Sequence, residues 1–351
     1  MHHPHASRRH HHLRDGAALA TTVPAVARQF QRAIIMPNLV PPVTTTAEAQ
    51  AYKARILEAL HASGAPAGSF EPMMTLYLTD ATTPEEIERA AASGDVKAVK
   101  LYPAGATTNS ASGVTDYGKI TGALQAMARV GLPLCVHGEV TTQGGEDVDV
   151  FERERVFVKE RVPSLLQSAP GLRVILEHLT TKEAAEFVVG AGPNVAGTIT
   201  PQHLLNNRNA MLSGGIRPHL YCLPILKTEE DRRALVEAAR SCDRIFLGTD
   251  SAPHEIGKKE SACGCAGCYS AHAALELYAE IFQKEGMLDR LEAFCSLNGP
   301  AFYGVAPNAA RVTLKREEWT LPDSIAFGSS VVVPLRAGTK LQWKLADRFA
   351  K

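Results

Sequence analysis

Four histidines, an aspartate and a lysine stand where short apolar runs give way to polar residues. His10 and His12 lie in a run at 9–13, Asn38 follows RAIIM at 32–36, and Lys100 sits inside VKAVKL at 96–101. His137 and Glu139 follow LPLCV at 132–136, and Glu177 and His178 follow LRVIL at 172–176. Asp250 closes RIFLGTD at 244–250, with His254 four residues further on. Imidazoles combined with a carboxylate suit Zn²⁺, with cobalt, manganese or iron as alternatives. Residues two apart on a strand share a face, so His10 and His12 converge on one ion while His11 turns away. A half-buried lysine among such donors is out of place as an ammonium, because its charge repels a metal. As a carbamate formed with CO₂ it becomes an anion with two oxygens that can bridge two ions, and burial lowers its pKa in favour of that reaction. Two ions bridged in this way can share a hydroxide that attacks a polarised carbonyl. The chemistry indicated is metal-dependent hydrolysis.

Each residue also has a plainer reading. A single histidine at a strand end is more often a hydrogen-bonded structural residue, and a single lysine more often lays its stem along apolar surface. Several such residues at matching positions are harder to explain separately. His2, His3, His5, His10, His11 and His12 crowd the first dozen residues and resemble a tag-like segment. The Leu13-Arg14-Asp15-Gly16 that follows is not tag-like, so the ligand reading is kept. Cys263, Cys265 and Cys268, with Cys222, invite a four-thiolate zinc site. The single residue between the first two is tight for zinc loops, and a loop of reduced thiols is the preferred reading.

Positioning these residues requires strands whose ends meet. The runs at 32–36, 72–78, 96–101, 132–136, 172–176, 195–200 and 244–247 are near-continuously apolar, as in a parallel sheet covered on both faces. An eighth strand is expected at 9–13. Helical stretches alternate with them. Thr83-Pro84-Glu85-Glu86 is expected to open one with a capping box, and Thr180 with Glu183 another. The stretches 117–130, 229–239, 271–283 and 287–295 also read as helical, and Asn298-Gly299-Pro300 is expected to break the chain. Eight strand–helix units give an α/β protein of the (β/α)8 TIM-barrel type, with function at the carboxyl ends of the strands. A doubly wound open sheet is the alternative, but no dinucleotide-binding glycine fingerprint follows the early strands. The whole chain, 1–351, reads as one hydrolase domain: a barrel over about 9–305 and a short C-terminal appendage over about 306–351. The appendage holds Trp319 and Trp343, which are expected to pack rather than bind.

Composition excludes other classes. The 351 residues carry 37 basic and 37 acidic side chains, so no polyanion-binding surface is indicated and no nucleic-acid partner is expected. No run approaches the roughly 18–20 apolar residues of a membrane span, and no apolar secretion segment opens the chain. Seven cysteines in a chain this long suit a reducing, cytoplasmic setting better than a disulfide scaffold.

The same residues carry a resemblance. The chain resembles the bacterial single-function (class II) dihydroorotases of the amidohydrolase superfamily almost end to end. Matching stretches include HLRDG at 12–16, MPNLVPPVTT at 36–45, KLYPAGATTNS at 100–110, HGEVT at 137–141 and EHLTTKEAA at 177–185. Further matches are TPQHL at 200–204, RPHLYCLPILK at 217–227, FLGTDSAPH at 246–254 and ESACGCAGC at 260–268. The resemblance implies two Zn²⁺ per subunit. His10, His12, Lys100 and Asp250 would hold the more buried ion. Lys100, as N6-carboxylysine, would hold the second with His137 and His178. The implied reaction is the reversible hydrolysis of (S)-dihydroorotate to N-carbamoyl-L-aspartate in pyrimidine (UMP) biosynthesis, with Asp250 as general base and acid. Arg14, Asn38 and His254 would take the substrate carboxylate, the main chains of Leu223 and Ala266 the ring amide edge, and Thr107 and Thr108 would close as a lid. His12 and His137 would also face the substrate. A cytoplasmic homodimer is implied as well.

The front of the chain departs from the family pattern. Arg8-Arg9 precedes His10 where an apolar residue is usual, and His11 replaces a leucine between the ligands. The chain begins several residues late, so the leading strand is expected to be missing and the barrel floor less covered. Two other functions compete: a hydantoinase-like cyclic amide hydrolase and a non-catalytic homologue. Arg14 and Asn38 weigh against the former, since a neutral ring needs no carboxylate clamp.

Overall fold

The computed structural model describes residues 2–4 and 6–346, with the backbone alone for 2–10. Among the described residues, eight parallel strands close into a barrel. They are β1 (Ala6–His11), β2 (Phe30–Ile35), β3 (Glu71–Tyr77), β4 (Val96–Leu101), β5 (Leu134–Val136), β6 (Val174–Leu176), β7 (Val195–Ile199) and β8 (Ile245–Ser251). Each pairs with its sequence neighbour, and β8 returns to β1 through Gly248 opposite Arg9 and Ser251 opposite His11. This is the (β/α)8 barrel. β1 starts and ends earlier than the 9–13 expected, so His12 follows the strand instead of lying in it.

The barrel interior is filled by Ile34, Met36, Met73, Ala98, Cys135, Ile175, Ala196 and Phe246. A second apolar shell lies between strands and helices, where Phe30, Tyr52, Phe157 and Tyr278 are fully or almost fully buried. Burying one such aromatic contributes roughly 1.5–3 kcal/mol.

Several local expectations need correction. Thr83 caps the helix Pro84–Ser93 by accepting from the Glu86 amide, but no capping box closes. The Glu86 carboxylate instead accepts from the amide and hydroxyl of Thr46, both at 2.6 Å, tying that helix to Thr46–Ala62. Thr181, not Thr180, caps Lys182–Gly190 by accepting from the Ala184 amide, and a buried carboxylate from another helix accepts from both threonines. The 287–295 stretch resolves into a short 3₁₀ turn, Leu288–Arg290, and a π-helical turn, Ala293–Leu297. Asn298-Gly299-Pro300 does not break the chain but opens the helix Asn298–Tyr303. Pro300 falls in its first turn, where a missing N–H costs nothing.

That helix closes the barrel floor. Tyr303 and Phe302 pack on the interior cluster, Asn298 donates to the carbonyl of Ile245 at 3.1 Å, and Arg173 donates to the carbonyl of Phe302 at 2.8 Å. The leading strand expected to be missing is present: His2–Pro4 pairs antiparallel with Arg311–Thr320, which in turn pairs with Lys340–Leu345. The tryptophans pack there. Trp319 Nε1 donates to the Trp343 carbonyl at 2.7 Å, and Trp343 Nε1 to Gln283 at 2.6 Å. Among the described residues no helix is long and apolar enough to cross a membrane.

Candidate active site

The carboxyl ends of the strands meet around one small cavity. His12, just after β1, places Nε2 3.1 Å from Oδ1 of Asp250 on β8. His137 and His178, just after β5 and β6, meet edge to face with ring centroids 4.8 Å apart. All four line the cavity, as do Arg14, Asn38, Thr107, Thr108, Leu223 and Ala266. Tyr102, Ala252 and Gly267, which sequence reasoning passed over, complete the wall. His254 stands behind Arg14, with Nε2 3.0 Å from the guanidinium and 3.0 Å from the Ala266 carbonyl. Burial and the Arg14 charge push the His254 pKa down to about 3, so this imidazole is neutral. His10 belongs to β1, but its side chain lies outside the described residues.

Strain collects at these positions. Arg14, His178 and Asp250 adopt φ of 60°, 47° and 41°, a region that non-glycine residues seldom enter and that costs on the order of 1–3 kcal/mol each. Neighbouring bonds hold them there. The Arg14 Nε donates to the Pro253 carbonyl at 3.2 Å, and the His178 amide donates to Thr198 Oγ1 at 2.8 Å. Thr198 reaches that position because β8 carries Gly248 beside it: a Cβ there would fall 2.4 Å from Thr198 Cβ.

Lys100 is fully buried, not half-buried, because β4 carries it into the barrel. Its Nζ donates to the Glu177 carboxylate and lies 5.1 Å from the Tyr102 ring centroid. Among the described residues no three His, Cys, Asp or Glu side chains are close enough to hold an ion by themselves. The donors stand as two pairs, His12 with Asp250 and His137 with His178, and Lys100 is held by Glu177 instead of joining them. The set fits divalent ions chemically. Imidazoles and a carboxylate are the usual donors, and carboxylation of Lys100 would release it from Glu177 and add two anionic oxygens.

Three loops close the mouth. The Asn109 side chain donates to the Asn38 carbonyl at 3.2 Å, and Thr108 Oγ1 lies 3.5 Å from the Ala266 carbonyl. The thiol loop is organised by an amine that sequence reading missed. Buried Lys259 donates to the carbonyls of Tyr221, Cys265 and Gly267 at 2.8, 2.7 and 3.0 Å. The cysteines stand as two pairs and not as one four-thiolate site: Cys263 is exposed, with Sγ 3.9 Å from that of Cys265, while Cys268 is buried beside Cys222 and donates to the His219 carbonyl.

Residues 9–317 match the amidohydrolase family. The dihydroorotase of Aromatoleum aromaticum is 61% identical over 338 residues, covering 96% of each chain. The chain belongs to the dihydroorotases of the amidohydrolase family. Solved dihydroorotases share its architecture. That of Saccharomyces cerevisiae, crystallised with 5-fluoroorotic acid, superposes with a TM-score of 0.89 at 31% identity, over 98% of this chain and 97% of its own. That of Campylobacter jejuni gives 0.88 at 35% identity over the same shares. Within the dihydroorotase fold, Tyr102 and Lys259 were passed over for different reasons. Tyr102 sits two residues after Lys100 on the same strand path, which was the available clue. Lys259 works through main-chain carbonyls, which leave no trace in a sequence.

Proposed function

We propose that this chain catalyses the reversible hydrolysis of (S)-dihydroorotate to N-carbamoyl-L-aspartate, a step of pyrimidine synthesis. The observation that carries the reading is Arg14. The residue is half-buried on a left-handed backbone, and its guanidinium is braced by His254 and Pro253 and lines a cavity it shares with Asn38 and the paired donors. Burial lowers its pKa while the charge of Asp250 raises it, so it offers a fixed, forked cation to a substrate carboxylate. A neutral hydantoin ring would leave that cation unmatched.

Two divalent ions, with zinc the leading candidate, would be held by His10, His12, N6-carboxylated Lys100, His137, His178 and Asp250. When bound they would supply Lewis acidity toward the ring amide and a water of lowered pKa. The chain's own groups do the rest. Arg14, Asn38 and His254 bind and orient the substrate carboxylate. The main chains of Leu223 and Ala266 meet the ring amide edge, with His12 and His137 at its flank. Water adds to the amide carbonyl, the ring C–N bond breaks, and the Asp250 carboxylate carries the proton from the water to the leaving nitrogen. Thr107 and Thr108 cover the cavity and exclude solvent, which strengthens each of these contacts. A cytoplasmic homodimer completes the proposal, and sedimentation velocity tests the dimer.

The test is turnover. Zinc-loaded protein should consume dihydroorotate and leave hydantoin and dihydrouracil largely untouched. No dihydroorotate turnover by protein carrying two ions, or a preference for the neutral rings, would overturn the reading.

A further inference from the structure

We propose that Glu139, Lys227 and Glu154 form one buried positioning device for His137 and His178, the two histidines assigned to the second metal ion; this rests on the metal assignment above. The three residues are 0%, 4% and 2% exposed, and none has a role in the reaction as written.

Glu139 acts on His137. Its Oε2 accepts from His137 Nε2 at 2.7 Å, and its own amide donates to the His137 carbonyl at 3.3 Å. A ring that donates through Nε2 has Nδ1 left as the nitrogen for an ion. Carboxylates that accept from a ligating histidine fix its tautomer and raise its basicity. Glu154, on the helix Arg153–Ser168, acts on His178. Its carboxylate accepts from the amide and hydroxyl of Thr180 and of Thr181, at 2.5–3.0 Å. These residues stand two and three positions downstream of His178, whose φ is +47° and whose own amide is fixed by Thr198. A backbone in that region keeps its shape only if both sides are held.

Two buried carboxylates need a cation, since an unpaired buried charge is costly. Lys227 supplies it. Its Nζ donates to the Ile225 carbonyl at 2.9 Å; burial holds its pKa below the usual lysine value, and the charges of Glu154 and Glu139 act in the opposite direction. Lys227 is thus the counter-charge assigned to both the carboxylate behind His137 and the carboxylate behind His178.

The experiment compares wild-type protein with Glu139→Gln, Glu154→Gln and Lys227→Met. Each is stripped and titrated with cobalt, following metal stoichiometry by mass spectrometry and the visible cobalt absorption, with circular dichroism as the check on folding. The expected result is a roughly 10- to 100-fold weaker second ion in each variant, with the first ion held as in wild type and an altered cobalt spectrum. A Thr180→Val, Thr181→Val double variant removes the hydroxyl donors but no charge. It should give the same selective loss, and it decides the matter if a charge variant does not fold. Variants that fold and bind both ions as wild type does, or that lose both ions equally, would overturn the device alone. Wild-type protein that takes up fewer than two ions would overturn the proposed function, and the device with it.

Discussion

At the scale of single residues, geometry separates groups that carry the same charge. Arg14 offers a planar fork and Lys offers a point charge. Arg14→Lys keeps the cation but loses one of two parallel hydrogen bonds to the substrate carboxylate. Charged hydrogen bonds of this kind contribute about 1.5–3 kcal/mol, so KM for dihydroorotate should rise ~10- to 100-fold with a smaller change in kcat. Steady-state kinetics checks this, and an unchanged KM would remove Arg14 from the clamp. Asp250→Asn keeps the shape of the side chain but carries no proton, and kcat should fall by roughly 10²–10⁴ with the fold intact. His203 acts on stability instead. It is buried, with Nε2 3.0 Å from the Pro224 carbonyl and Nδ1 2.7 Å from Thr200 Oγ1, and burial lowers its pKa from 6.5 to about 4. The unfolded chain therefore binds a proton that the folded chain refuses. Stability from this residue is complete above pH 6.5 and drains away as pH falls toward about 4, amounting to roughly 3 kcal/mol. Urea midpoints measured along that interval should fall more steeply for wild type than for His203→Gln.

At the scale of elements, the strand ends were readable because buried parallel strands are short, apolar and bounded by polar residues. The seven runs from 32–36 to 244–247 each became a barrel strand, within a few residues, and site residues stand just beyond five of them: Asn38, Tyr102, His137, His178 and Asp250. What was hidden depends on partners distant in sequence. Nothing around Glu86 announces that it will reach beyond its own helix to Thr46, and nothing around Glu154 that it will accept from Thr180 and Thr181. Lys100 was readable as a half-buried lysine suited to carboxylation. Its pairing with Glu177, 77 residues away, appears only when β4 and β6 are placed in one barrel. Element packing also gives a prediction. Gly248→Ala brings a Cβ within 2.4 Å of Thr198 Cβ and 2.6 Å of its Oγ1, so Thr198 must shift and release the His178 amide. Overpacking of this kind costs about 1–3 kcal/mol. Thermal unfolding should show the loss, together with weaker metal uptake; an unchanged midpoint would mean that the strand absorbs the methyl group.

For the molecule as a whole, the barrel separates stability from chemistry. The floor is apolar and sealed by Phe302 and Tyr303, while the mouth carries the strained residues and the buried charges. The front of the chain illustrates how far local reading reaches. Its histidine-rich composition argued for a tail, yet its backbone pairs with Arg311–Thr320, a partner more than 300 residues away. The central claim is that donors from widely separated strands act together on metal once Lys100 is carboxylated. Anomalous diffraction from crystals of the zinc-loaded, catalytically active protein tests this most directly. Two peaks should appear, one beside His12 and Asp250 and one beside His137 and His178, with the density of a carboxylated Lys100 between them. A single distant peak, or an unmodified Lys100 still bound to Glu177 in that active protein, would contradict the account.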